Sequence, residues 1–261
     1  MEHTYWQKQT KNSPLFPELI WDKPENKLHA GKLLIVGGNL HAFNAPSIAY
    51  AQAIKAGAGA IRLILPISIK KTIQALLPDA EFAPVTPSGS FAKQSLSLLL
   101  ENEAWADGIL LAGDFGKNSE TAILLERFLQ ETTRPTILVG DTIDNLLKTP
   151  DFMHKPESIA ILTLLQLQKL AIKLKFTKAF TSSMSLTNLV EAMHELISLY
   201  SLSIVLPFEN NIIIASNGSI TTTKIVNISS VNTVIASVAS VWVMQNPNNI
   251  IKALTTAIIN V

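Results

Sequence analysis

The chain has 261 residues, of which 48% are hydrophobic and 16% charged, with a formal net charge of +1; soluble domains usually carry about 25% charged residues, so a large core or a sizeable subunit interface is expected. A balance this near neutrality, with no basic run of five or more, provides no field to gather nucleic acid or anionic lipid. Cysteine is absent, which excludes disulfides, thiolate nucleophiles and thiolate metal sites and leaves the cytoplasm as the default compartment.

Residues 1–30 are polar and broken by Pro14, Pro17 and Pro24, with Trp6, Phe16 and Trp21 as anchors. They read as an arm lying on the body or on a neighbouring subunit, and they contain no apolar run of the kind a signal peptide needs. A single α/β domain is expected over residues 31–261. It opens with Lys32-Leu33-Leu34-Ile35-Val36, a buried strand closed by Gly37-Gly38. Asn44 suits a helix N-cap, and Ala45 and Pro46 suit a first turn, where a missing N–H costs nothing. Gly57 and Gly59 end that helix, and Ala60 to Leu65 form a second strand. Strand, loop, helix and strand in about thirty-five residues spell the right-handed crossover of a parallel sheet.

Ser68 is placed to cap a helix through Leu77, followed by an extended piece at Phe82 to Val85 and a turn at Thr86-Pro87-Ser88-Gly89. Gly108 to Ala112 repeats the buried strand and runs into Gly113-Asp114-Phe115-Gly116, with a helix over Ser119 to Glu131. Pro135 to Val139 is the next strand, ending at Gly140-Asp141-Thr142, and Ile159 to Thr163 the next, leading into a basic helix. All these strand-ending loops leave the carboxyl edge of one sheet, where open α/β sheets bind ligands at a topological switch point. Ser185 caps an amphipathic helix with Met193 in its core face. Three strands follow, over Ser203 to Leu206, Ile212 to Ala215 and Ser219 to Thr223, the last two joined by an Asn217-Gly218 hairpin turn. Helices from Thr233 to Gln245 and Asn248 to Ile259 finish the chain. The charge-free stretch from Ile225 to Ile251 holds seven Asn, Ser and Thr residues before Val241, so it predicts a buried helix rather than a membrane span.

The run from strand through Gly37-Gly38, Asn44-Ala45-Pro46 and Lys55-Ala56-Gly57-Ala58-Gly59 to a second strand resembles the opening of the ATP- or ADP-dependent NAD(P)H-hydrate dehydratases of the ribokinase-like superfamily. That resemblance implies a three-layer ribokinase-like α/β fold: a central, mostly parallel sheet with helices on both faces and a C-terminal β-hairpin. It also implies ATP or ADP as cofactor, an NAD(P)H-type ligand and a homo-oligomer. The family phosphorylates the ring hydroxyl of a hydrated nicotinamide and eliminates it, which needs an anion hole at a helix N-terminus and an aspartate base. Its Gly-Gly-Thr-Gly-Asp run is matched here by Ser229-Ser230-Val231-Asn232-Thr233, with Thr233 at the aspartate's place. A hydroxyl has no useful basicity near neutral pH without a partner base, so the resemblance implies weak or no family activity.

The same comparison assigns substrate-side contacts to Gly37, Gly38, Asn39, Asn44, Ala45, Pro46, Asp114, Gly116 and Asp141. Cofactor-side contacts fall to Ser229, Ser230, Asn232 and Thr233. Where the family has Gly-Pro-Gly-Leu-Gly, this chain has Ala112-Gly113-Asp114-Phe115-Gly116, placing a carboxylate where bare backbone would meet phosphate. The family's Thr-Pro-His-Pro-Gly-Glu corresponds to residues 163–168, keeping only Thr163, and its lysine-glycine to Pro207-Phe208. Asp141 next to Thr142 reads as a cap for the following helix; the alternative is convergence with Asp114 on a cation or a ribose. Gly37-Gly38-Asn39 is open between a ligand cradle and a plain tight turn, and it is not the G-x-G-x-x-G fingerprint. The five histidines show no metal-ligand spacing, and no metal site is expected. The functional expectation is thus a divergent hydrate-dehydratase-like protein, with a non-catalytic small-molecule-binding or interaction protein on the same fold as the alternative.

Overall fold

A computed structural model describes residues 4–225 and 232–261. Among the described residues ten strands form one sheet. In chain order they are β1 (Trp6–Gln9), β2 (Lys32–Val36), β3 (Ala60–Pro66), β4 (Glu81–Ala83), β5 (Gly108–Leu111), β6 (Thr136–Val139), β7 (Ser158–Ile161), β8 (Ser203–Phe208), β9 (Asn211–Ser216) and β10 (Ser219–Lys224). Their spatial order is β1-β10-β9-β8-β7-β6-β5-β2-β3-β4, parallel from β8 to β4, with β9 antiparallel to both of its neighbours and β1 parallel to β10. The helices are α1 (Pro17–Trp21), α2 (Asn44–Ala56), α3 (Lys70–Ile73), α4 (Leu96–Trp105), α5 (Ser119–Glu131), α6 (Asp141–Leu146), α7 (Leu164–Lys173), α8 (Leu186–Leu199), α9 (Asn232–Gln245) and α10 (Ile250–Ile259).

The inner strands are apolar along most of their length, with polar residues such as Lys32, Thr136, Ser158 and Ser203 at their first positions, because both faces of the sheet are covered. Leu34, Val36, Ile109, Leu111, Leu138 and Ala160 point to one side, where they meet α4 to α8. Their neighbours Leu33, Ile35, Leu110, Ile137, Val139 and Ile159 point to the other, against α2, α3, α9 and α10. This is the three-layer arrangement expected from the sequence. Met193 lies in the first of these cores, fully buried.

Helix α9 is buried around most of its circumference despite its hydroxyls. Ser237 Oγ donates to the Thr233 carbonyl at 2.6 Å and Ser240 Oγ to the Ala236 carbonyl at 2.7 Å, so neither hydroxyl loses a partner on leaving water. Among the described residues no helix is long and apolar enough to cross a membrane. The Asn217-Gly218 turn joins β9 to β10 with φ of +48° and +74°, the left-handed pair that matches strand twist in a two-residue hairpin.

The structure refines several elements of the sequence reading. Helix α2 is preceded by Phe43, with no side-chain cap of its own, and Asn44 is its exposed first residue. Ser68 sits in a short 3-10 turn and donates to the Gly89 carbonyl instead of capping a helix. Pro207 and Phe208 lie inside β8, so this pair extends a strand rather than forming a loop after it. The N-terminal segment contributes an edge strand: β1 runs alongside β10, and the Trp6 indole N–H donates to Thr222 Oγ1 at 3.0 Å.

Candidate functional site

The sheet order reverses between β2 and β5: from β2 the chain moves outward to β3 and β4, then returns to add β5 on the other side. The loops after β2, β5 and β6 therefore meet at the carboxyl edge, and the structure brings the residues singled out there into one cluster. Gly38 N–H donates to the Gly113 carbonyl at 3.0 Å, tying the first two loops together. A Cβ on Gly37 would lie 2.7 Å from that same carbonyl, so only glycine permits the approach.

Asn39 organises the first loop. It is 8% exposed; its side-chain oxygen accepts from the His41 and Ala42 N–H groups, and its amide donates to the Asp114 carbonyl at 2.6 Å. Asp114 has φ of +60°, a conformation most side chains resist but aspartate tolerates. The turn aims its carboxylate at the start of α2, where Oδ2 accepts the Ala45 N–H at 2.7 Å. The helix N-terminus, which favours negative charge, is thus capped from another strand's loop. Pro46, which needs no N–H partner, is buried behind it.

The expectation that Asp141 caps its own helix is overturned. Gly140 is the residue before α6, with φ of +67°, and Asp141 is the first residue of the helix. Its carboxylate reaches back instead, accepting from the N–H groups of Phe115 at 3.1 Å and Gly116 at 2.8 Å. Burial pushes the Asp141 carboxyl above the ordinary carboxylate range; the two N–H donors oppose that shift, and Asp114 and Asp144 add to it. Asp114 and Asp141 accordingly converge on backbone donors of the same loop system.

Three further residues complete the frame. Asn145 donates to the Gly116 carbonyl at 3.1 Å. Thr163 and Gln166 form a capping box at the start of α7, and the Gln166 amide also donates to the Gly140 carbonyl and to Asp144 Oδ2. The Thr-x-x-Gln spacing was visible in the sequence; the reach of Asn145 and Gln166 to other loops was not.

Helix α9 ends at the opposite edge, since the Gln245 amide donates to the carbonyls of Ala30 and Gly57, just before β2 and just after α2. Fourteen residues at about 1.5 Å each span about 21 Å, which sets Asn232 and Thr233 beside the carboxyl edge. Thr233 is buried. Ser229 and Ser230 lie outside the described residues.

No family model matches the chain. Over 116 residues it is 30% identical to the bifunctional NAD(P)H-hydrate repair enzyme Nnr of Methanothermobacter thermautotrophicus, covering 43% of this chain and 22% of that protein. The chain therefore matches under a quarter of that relative's length. Among solved structures, a ribokinase-like superfamily protein from Enterococcus faecalis superposes with a TM-score of 0.74 at 15% identity, covering 99% of this chain and 87% of the other. The chain carries the ribokinase-like fold. The ADP/ATP-dependent NAD(P)H-hydrate dehydratase of Bacillus subtilis, co-crystallised with ATP and Mg2+, shares that fold with a TM-score of 0.62 at 14% identity, over 90% of this chain and 79% of the other. The resemblance to NAD(P)H-hydrate repair enzymes thus holds in sequence over less than half of the chain and in fold over nearly all of it. Within this ribokinase-like frame, backbone N–H groups at the start of α2 and in the loop after β5 are engaged by the chain's own carboxylates.

Proposed function

We propose that this chain is a divergent relative of the NAD(P)H-hydrate dehydratases that has kept a nucleotide-sized ligand cradle at the carboxyl edge and lost nucleotide-driven dehydration. One observation carries the reading: the N–H groups of Ala45, Phe115 and Gly116 are taken by Asp114 and Asp141. An anionic phosphate entering here must displace an internal carboxylate and then face its charge. At the start of α9, Thr233 stands at the position of the family's base, and its hydroxyl has no basicity to activate an attacking oxygen. Asp141 does not replace it, because each of its oxygens holds a backbone N–H and thereby shapes the loop.

The ligand of this reading is an NAD(P)H-type molecule held by residues 37–39, 44–46, 114, 116 and 141. ATP or ADP would lie toward Asn232 and Thr233, bound weakly. The low charge fraction and the exposed Trp21 and Leu28, at 86% and 87% exposure, fit a homo-oligomer acting in the cytoplasm, which size-exclusion chromatography with light scattering tests. The decisive assay combines thermal shifts with ATP, ADP, NADH and NADPH and a turnover measurement on hydrated NADH with each phosphate donor. A ligand at about 100 times its Kd adds about 2.7 kcal/mol of stability. Stabilisation by a dinucleotide without turnover is expected. Robust nucleotide-dependent repair of hydrated NADH overturns the loss of catalysis, and silence toward every nucleotide overturns the cradle.

A further inference from the structure

On the surface behind the carboxyl-edge site, α6 and α7 diverge around a cleft of about 300 Å3 lined by Asp144, Leu147, Lys148, Lys169, Ile172 and Lys173. That volume is at the lower end of small-molecule sites. Lys169 and Lys173 are one turn apart on α7 and so share a face, while Lys148 follows the end of α6. Asp144 is the one acid in the lining, and it is already committed: Oδ1 pairs with Lys169 at 2.8 Å and Oδ2 accepts from Gln166. Lys148 and Lys173 make no ion pair among the described residues. Leu147 is 6% exposed and Ile172 76%, so a buried and an exposed apolar side chain line the cleft together with the three lysines.

We propose that this cleft is a second ligand site, distinct from the carboxyl-edge cradle, that binds a small phosphate ester with an apolar body. Three ammonium groups against one carboxylate leave an excess of two positive charges, matching the roughly double negative charge of a phosphate monoester rather than the single charge of a carboxylate. Lysine serves such groups as a mobile point charge. Ile172 and Leu147 accommodate the non-phosphate part, and Lys169 exchanges its bond to Asp144 for one to the ligand.

The test is calorimetric titration of the full chain at low ionic strength with phenyl phosphate, and with inorganic phosphate as a probe lacking the apolar body. Phenyl phosphate is expected to bind one per chain and more tightly than inorganic phosphate. The exposed pair Lys148→Ala and Lys173→Ala together should weaken it about tenfold, as two surface ion pairs near the upper end of their usual strength imply. Asp144→Asn, which removes the competing charge, should tighten it, whereas Lys71→Ala, on α3 across the sheet from the cleft, should leave it unchanged. Absence of saturable binding overturns the assignment. So does affinity indifferent to the lysine pair, which would place the anion at the carboxyl edge. Association with anionic lipid vesicles without any affinity for soluble phenyl phosphate would also overturn it, marking the face as a membrane-contacting surface instead.

Discussion

Removing the carboxylate of Asp114 tests whether one side chain both starts α2 and blocks its anion site. The Oδ2 to Ala45 N–H bond is 2.7 Å long, and loss of a helix cap costs about 1 kcal/mol. Loss of the charge's interaction with the helix dipole adds about 0.5 kcal/mol. Alanine also tolerates the +60° φ of this position less well than aspartate, adding about 0.5 kcal/mol more. Asp114→Ala should therefore destabilise by about 2 kcal/mol, a fall in Tm of about 4–8 °C for a chain this size. Asp114→Gly loses the cap but relieves the backbone, and should lose about 1 kcal/mol. Asp114→Asn keeps an acceptor and the left-handed turn, and should lose about 0.5 kcal/mol. Urea unfolding of the three variants measures the order, and a phosphate titration should show anion affinity at α2 rising in the alanine and glycine variants, which free the Ala45 N–H. An alanine variant within 0.5 kcal/mol of the parent, or a glycine variant less stable than the alanine one, would refute this account of the cap.

Asp141 makes a prediction about pH. Its folded-state carboxyl is raised above its ordinary 3.8, so between that value and the raised one the native state holds more protons than the unfolded state and stability falls as pH rises. Comparing denaturation of the parent and Asp141→Asn across the acidic range should show this slope in the parent and not in the variant. Gly37→Ala puts a Cβ 2.7 Å from the Gly113 carbonyl and should cost about 1–3 kcal/mol by forcing the first two loops apart, measurable by thermal unfolding. Gln166→Ala leaves the Thr163 N–H without its partner and takes one of two donors from the Gly140 carbonyl, which keeps the Ile143 N–H; it should cost about 1 kcal/mol, and amide hydrogen exchange at the start of α7 should accelerate.

The order of elements was legible because it rests on local pattern. Apolar runs of four or five residues ending in glycine announced β2, β5 and β6. Ser185 announced α8, and Asn217-Gly218 the hairpin. Cap assignments failed where a partner came from elsewhere in the fold. Asn44 looks like a cap because its side chain could reach the next N–H groups, yet Asp114, 69 residues beyond Ala45 in sequence, already holds the Ala45 N–H. Asp141 looks like a cap for α6, yet it lies one position too late and holds the loop after β5.

The sequence by itself determined the continuous apolar runs that bury both sheet faces and the glycines at strand ends; these are properties of residue type and spacing. Only the tertiary structure decided which loops meet, because that depends on the reversal of strand order between β2 and β5. That reversal delivers two carboxylates to backbone N–H groups that no local rule pairs with them, and so leaves those groups satisfied by the chain itself.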